Sequence, residues 1–308
     1  MPVDAVIVSH NTRAMLGECL RSLVDEGSCT ITVVDNASSD GSPAMVSVEF
    51  PRVALVLNEE NVGFARAVNQ GLQLCSSDFV LLLNSDSTLT PGALGAMTTY
   101  MRDHPAVGAV GPAVHHPSGR LRVLSAGRQP SLWRVFTHFS GLSHLSRWSS
   151  VLDGWNHRIG IHDRRPHEVE WIAGGCLLLR SAALKQVGPL SERWFMYAED
   201  LELCARLMDA GWKLVHVPDA VVYHHVAGSA PVDGPISTLW IESMKDYYRL
   251  RWAPGPLRDL AWRLTVGGGL AIRSLVYGAA AASNRGRSRM WRLEARRFAA
   301  YALAAVKR

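Results

Sequence analysis

The chain has 308 residues, 48% of them hydrophobic and 19% charged, which is ample for a packed core and allows one large domain or two small ones. No apolar run reaches about 18 residues, so no membrane-spanning helix is expected, and the opening MPVDAVIVSHN, with Asp4 and no basic leader, is expected to be a first strand and not a signal peptide. The formal net charge of +5 is uneven: residues 249–308 hold 13 Lys and Arg against 2 Asp and Glu, a net of +11 that leaves −6 for residues 1–248 and points the basic tail at an anionic partner.

VDAVIVSHN is a continuous apolar run that ends in polar residues, as a buried parallel strand does where it opens into a loop. Met15, Leu16, Cys19, Leu20 and Leu23 then recur at helical spacing. CTITVVDNASSDGS is a second buried strand that ends at Asp35, followed by a turn-rich loop, and PAMVSVEF fits a short helix. VALVLN is a third strand, followed by a loop with Gly63 and a helix from about Phe64. FVLLLNSDS is a fourth, and it runs straight into an amide and a carboxylate two residues apart, Asn84 and Asp86. This alternation argues for an α/β domain with a mostly parallel sheet flanked by helices. In such sheets ligands bind beyond the carboxyl ends of the strands. The polar clusters Ser9–Asn11, Asp35–Asp40 and Asn84–Asp86 all fall there.

Residues 115–168 have weak periodicity and are expected to form long loops and short helices over the site. They hold His115, His116, His138, His144, His157, His162 and His167, with no convincing metal-ligand spacing. Regular structure is expected again in EWIAGGCLLLRSAALKQVG, AEDLELCARLMDAGW and LVHVPDAVVYHH. The five cysteines form no CxxC pair and are expected to be reduced thiols, neither a disulfide framework nor a zinc site. The tail is helical in pattern, with breaks expected near Gly267–Gly269 and Asn284–Gly286. In its last helix Trp291, Phe298 and Ala302 share one face, flanked by Arg292 and Arg296, which fits an interfacial helix on anionic lipid. Packing on the main domain or on a second subunit, in a homo-oligomer, is the other use for these helices. No nucleic-acid-binding module accompanies the charge, so nucleic acid is not the expected partner. The division expected is a main domain over residues 1–235 and a helical basic extension over 236–308.

In their order and spacing, VIVSHN, VVDNASSDGS, NEENVGFARAVNQG, LLLNSDS, GGCLLLRSAAL, FMYAEDLELCARLMDAGW and VPDAVVYHH resemble the inverting glycosyltransferases of family 2 over roughly residues 3–230. Within that family the chain looks most like bacterial rhamnosyltransferases of cell-wall and polysaccharide assembly. The resemblance implies the GT-A nucleotide-diphospho-sugar transferase fold. It implies transfer of a sugar such as L-rhamnose from a dTDP- or UDP-linked donor to a lipid-linked or polysaccharide acceptor. A cytoplasmic enzyme, peripheral at the inner face of the plasma membrane, is expected. Two rivals are a catalytically silent nucleotide-sugar-binding scaffold and a sugar-nucleotidyltransferase on a similar fold. Against the latter, no glycine-rich, lysine-containing phosphate loop follows the first strand.

The resemblance also assigns residues. The leaving diphosphate needs a counter-ion, and a hard divalent cation, Mg²⁺ or Mn²⁺, fits that need. Asp86 matches the second acid of the family's Asp-x-Asp metal motif, and Asn84 replaces the first, which weakens ligation there and suits it to contact the donor. Asn, Ser and Asp are also ordinary residues of a strand-end turn. Asp35 is expected to accept the ring N–H of uracil or thymine, Ser9 and Asn11 to line the nucleotide pocket, and Gly63 to let the backbone approach the donor. Arg66 is either a diphosphate contact or an exposed helical arginine. Asp200 matches the family's general base, supported by Glu199 and Glu202, although acids at a helix start are also favoured by its dipole. His224, or else His225, would join the metal. Gly174 and Gly175 would admit sugar or acceptor, and Trp171, Trp194, Phe195 and Tyr197 are candidates for stacking on a sugar ring.

Overall fold

The apolar runs at the start of the chain form the strands of one twisted sheet. The computed structural model describes residues 2–27, 29–118, 122–123, 125–146, 148–155, 165–225, 236–283 and 288–307. Its elements in chain order begin with β1 (Val3–Ser9), α1 (Arg13–Asp25), β2 (Cys29–Asn36), α2 (Ser42–Glu49), β3 (Ala54–Asn58) and α3 (Phe64–Leu72). They continue with β4 (Phe79–Asn84), β5 (Ser87–Leu89), α4 (Ala93–Asp103), β6 (Val107–His115), β7 (Arg122–Val123), β8 (Ala126–Gly127) and α5 (Leu132–Ser140). Then come β9 (His167–Val169), β10 (Trp171–Ile172), β11 (Cys176–Arg180), α6 (Ser181–Val187), α7 (Glu199–Asp209) and β12 (Lys213–His224). Three helices close the chain: α8 (Leu239–Trp252), α9 (Pro256–Ser283) and α10 (Ser288–Val306).

The main sheet has the order β3-β2-β1-β4-β11-β6-β12-β5, with β7 beside β6 and β9 beside β12. Strands β3, β2, β1 and β4 are parallel, β11 runs against β4 and β6, and β12 returns parallel to β6. The expected mostly parallel sheet flanked by helices is thus what forms. Register decides where the polar strand ends meet. Ser9 lies opposite Asp35, and Val8 opposite Asn84. Because β11 is antiparallel, its start, Cys176, sits opposite Leu83 at the same edge. Leu16, Cys19, Leu20 and Leu23 of α1 are fully buried in the core under this sheet. Each buried leucine contributes about 1.5–3 kcal/mol relative to exposure.

The chain divides into two compact units, residues 1–127 with 158–232 and residues 128–157 with 233–308. Residues 128–157, placed over the site by the sequence, therefore group with the C-terminal helices. Locally they give little sign of it, because the partner of α5 is α9, far along the chain. The expected break at Gly267–Gly269 does not occur. These glycines lie inside the 28-residue α9, where helices come too close for a side chain. A methyl on Gly267 would sit 2.6 Å from Val306 Cγ1, and one on Gly269 would sit 2.7 Å from Phe139 Cβ. The expected break at 284–286 lies outside the described residues.

One helix, α9, is long and apolar enough to cross a membrane by length and composition alone. It escapes notice as an apolar run because Arg263 and Arg273 interrupt it.

Candidate active site

The site is built at the carboxyl edge of β1, β2 and β4. Ser9, at the end of β1, is fully buried and spends its hydroxyl on Thr12 at 3.1 Å, and Thr12 donates to Ser85 Oγ at 2.8 Å. Asn11 adopts a left-handed φ of 55°. Its Oδ1 accepts from Ser39 N at 2.8 Å and its N–H donates to Ser38 Oγ at 2.9 Å. Asn11 therefore ties the loops after β1 and β2 together, while Ser9 connects through Thr12 to the loop after β4. Asp35 Oδ1 accepts from Ser38 N at 2.8 Å. Its Oδ2 is buried and has no hydrogen-bond partner among the described residues. A buried carboxylate oxygen left unpaired is costly and asks for a donor that the described residues do not supply. Asp40 is a turn cap, accepting from Arg13 N at 2.8 Å and Ser42 N at 3.0 Å.

Strand β4 delivers Asn84, whose N–H donates to Gly175 O at 3.0 Å. Asp86 lies just beyond, and its Oδ1 meets His224 Nε2 at 2.9 Å, both side chains mostly buried. His225 only donates its backbone N–H to Asp86 O, and its ring lies edge-on to His116. Of the two adjacent histidines, His224 is the one whose ring faces the carboxylate, as alternation along β12 requires. A carboxylate oxygen and an imidazole nitrogen converging this closely fit a divalent cation as a two-residue donor set. No third His, Cys, Asp or Glu completes a cluster among the described residues. The remaining positions would fall to substrate phosphates and water, the usual habit of Mg²⁺ and Mn²⁺ in phosphate sites.

Asp200 and Glu199 open α7. Tyr197 and Ala198 before them hold φ of 70° and 73°, two successive left-handed residues that are not glycine. Such strain costs of order 1–3 kcal/mol per residue and persists where surrounding contacts enforce it. Here the enforcement is visible. Phe195 O accepts from Phe64 N at 2.8 Å, and Asn69 clamps the preceding loop through Leu190 N, Leu190 O and Glu192. Gly63, with φ of 88°, makes this approach possible, since a methyl there would stand 2.6 Å from Phe195 O. Asp200 Oδ2 accepts from Gly174 N at 3.0 Å and Oδ1 from Leu201 N at 2.8 Å. Burial raises the Asp200 pKa against these hydrogen bonds. Burial first, then the Asp200 charge, push Glu199 up to about 8, and its Oε2 is buried without a partner among the described residues. A close acid pair shares its protons, and burial favours the protonated form of both carboxyls.

Gly174 and Gly175 join the two halves. A methyl on Gly174 would lie 3.4 Å from Phe64 Cε1 and 3.7 Å from Asp200 Cβ, whereas one on Gly175 would lie 3.2 Å from His224 Cε1 and 3.4 Å from Asn84 Nδ2. The base candidate and the metal candidates are therefore on either side of two consecutive residues.

A family profile described as Glycosyl transferase family 2 matches residues 4–156. The N-acetylglucosaminyl-diphospho-decaprenol L-rhamnosyltransferase of Mycobacterium tuberculosis is 33% identical over 292 residues, which span 89% of this chain and 91% of that one. The chain belongs to glycosyl transferase family 2. Among solved structures, a mannosyltransferase of Pyrobaculum calidifontis in complex with GDP-Man and Mn²⁺ aligns with a TM-score of 0.59 at 18% identity, covering 98% of this chain and 85% of its own. The S. aureus TarS 1-349 fragment in complex with UDP-GlcNAc aligns with a TM-score of 0.53 at 14% identity, covering 99% and 90%. At these identities the likeness speaks to the fold, which is that of GT-A glycosyltransferases.

For a family 2 glycosyltransferase the remaining candidates sort by exposure. Trp171 and Trp194 are buried, whereas Phe195 and Tyr197 are 47% and 48% exposed beside the Asp200 turn. Arg66 is exposed on α3, and Glu202 is engaged by Arg206 at 2.7 Å. His138 lies against Phe139 and Trp155, and His167 lies against His216, while His157 and His162 lie outside the described residues. The five cysteines are free thiols, and burial pushes Cys176 and Cys204 up to about 12. Sequence reasoning missed Thr12, Asn69 and the Phe64–Phe195 link. Thr12 lies just past a strand end and Phe64 follows Gly63, but Asn69 carries no local signal.

Proposed function

We propose that this glycosyltransferase moves L-rhamnose from a dTDP donor, with inversion, onto a polyprenyl-diphosphate-linked sugar. The observation that carries the reading is the near full-length correspondence to the mycobacterial L-rhamnosyltransferase, which extends beyond the catalytic unit. Asp35 accepts the thymine ring N–H through Oδ2, the atom that has no donor among the described residues. Asn84 contacts the donor. When bound by Asp86 and His224, Mg²⁺ or Mn²⁺ supplies positive charge opposite the leaving diphosphate. Asp200 accepts the proton of the attacking acceptor hydroxyl. As the new bond from that oxygen to the anomeric carbon forms, the bond to the diphosphate breaks on the opposite side, so one displacement inverts the centre. In this reading the proton that the pair retains sits on Glu199, which leaves Asp200 as the ionised member. Phe195 and Tyr197 offer flat apolar faces to the acceptor sugar. The setting is the cytoplasmic face of the plasma membrane, where nucleotide sugars meet lipid-linked acceptors.

The test is calorimetric binding of dTDP and UDP with Mn²⁺ and with EDTA, followed by transfer from dTDP-rhamnose to a lipid-diphosphate-linked N-acetylglucosamine. Tighter binding of dTDP that requires Mn²⁺ and is lost in Asp86→Ala is expected. Preference for UDP, or transfer only from another sugar, overturns the donor assignment.

A further inference from the structure

Within the helical unit, α9 has two unlike faces. Trp262, Val266, Gly267, Gly269 and Leu270 are buried. The opposite face carries Leu257, Leu260, Leu264, Ile272, Leu275 and Val276, all exposed, with Leu257 at 82% and Leu275 at 73%. These six recur at helical spacing from Leu257 to Val276, about 29 Å of the helix, and the exposed positions between Leu264 and Leu275 include Gly268 and Ala271, with no acid. A contiguous aliphatic face of this length marks an interaction surface. Of the α10 face that the sequence suggested for lipid, Phe298 stacks on Tyr277 of α9 at 5.5 Å and meets Tyr301 edge-on. Besides the apolar Met290, Leu293, Leu303 and Val306, α10 exposes Arg292, Arg296 and Arg297, and its single acid, Glu294, pairs with Arg297 at 2.9 Å.

We propose that the outer face of α9 lies in the headgroup–acyl boundary of an anionic bilayer, parallel to its plane, with the α10 arginines reaching lipid phosphates. This deepens the lipid-linked-acceptor reading by naming the surface that holds the enzyme where such an acceptor lies. Charge complementarity selects this occupant. Residues 249–308 carry a net of +11, so a second copy would bring like charge to the same place, whereas anionic lipid brings the opposite. The helix lies on the bilayer and does not cross it, because its inner face is packed against α5 and α10 at Phe139 and Val306. An amphipathic, Arg-flanked helix of this kind buries its apolar side at the interface.

The full chain is tested by flotation with phosphatidylglycerol-containing and with purely zwitterionic vesicles, at about 0.15 M and about 1 M salt. Binding to the anionic vesicles only, weakened at least tenfold by high salt and by Leu264→Glu/Ile272→Glu/Leu275→Glu, supports the proposal. Arg292→Gln/Arg296→Gln, which leaves the aliphatic face intact, should also weaken it severalfold and guards against misfolding of the triple variant. Turnover on a water-soluble short-chain acceptor analogue should survive both sets of changes, so loss of lipid binding stays distinct from failure of the transferase reading. Wild-type binding that ignores lipid charge overturns the proposal. So does a concentration-dependent dimer in light scattering that the same glutamates dissolve, without vesicle binding.

Discussion

Replacing Asp35 by asparagine separates what the carboxylate does for the fold from what it does for the ligand. The two oxygens have different partners. Oδ1 accepts from Ser38 N at 2.8 Å, and an asparagine Oδ1 keeps that bond. Oδ2 is buried with no partner among the described residues, and asparagine puts an NH₂ group there. In the ligand-free chain the change removes a buried, half-satisfied charge, so thermal stability should stay level or rise. In the complex the NH₂ group faces the ring N–H of the base, donor against donor. The lost hydrogen bond to a charged acceptor is worth about 1.5–3 kcal/mol, or about tenfold to a hundredfold in Kd for dTDP. Calorimetry gives the affinity and scanning fluorimetry the stability. A variant that binds dTDP as tightly as wild type would refute the base-contact argument. So would one whose weaker binding is matched by a lower melting temperature, since Asp35 would then be structural.

Asp200→Asn should retain donor binding and lose turnover by about 10²–10⁴-fold, the usual worth of a positioned base, as read by single-turnover assays. Glu199, pushed up to about 8 mainly by burial, binds a proton in the folded chain that the unfolded chain has released. The stability this gives is complete below the unfolded value of about 4.3 and is lost as pH rises through 8, so denaturation between those limits should show falling stability that Glu199→Gln flattens. Tyr197→Ala should raise KM for the acceptor by about twofold to tenfold, the worth of one aromatic contact, and leave dTDP affinity unchanged in calorimetry.

The strands and their polar ends were legible because a buried parallel strand needs an unbroken apolar run, and such runs stop where the chain opens into a ligand-binding edge. Asp35, Asn84 and Asp86 stand out as candidates on that logic, whereas Glu199 and Asp200 were singled out by the resemblance to the family's base, since acids at a helix start are ordinary. Pairing across the chain was not legible. Nothing near Asn69 indicates that its amide holds Leu190, a contact of 121 residues' separation. Nothing near Phe139 indicates that it nests against Gly269. Gly267–Gly269 has the composition of a helix breaker, yet here absent side chains let helices touch. The choice between His224 and His225 needed the register of β12, because one step along a strand reverses the face.

Gly174 and Gly175 allow the two halves of the site to be perturbed separately. They are neighbours in sequence but touch different groups, so a single methyl at each position probes one half at a time. On Gly174 the methyl would meet Phe64 at 3.4 Å and Asp200 at 3.7 Å, ordinary contact distances. On Gly175 it would meet His224 Cε1 at 3.2 Å and Asn84 Nδ2 at 3.4 Å, so the imidazole must give way. Moving that ring separates it from Asp86, now 2.9 Å away. Overpacking of this kind costs about 1–3 kcal/mol. Gly175→Ala should therefore weaken Mn²⁺-dependent dTDP binding by about fivefold to a hundredfold. Gly174→Ala should keep donor affinity within about twofold, and any cost should appear in turnover, beside Asp200. The reverse order of effects would mean that Asp86 and His224 do not form the metal-binding half of the site.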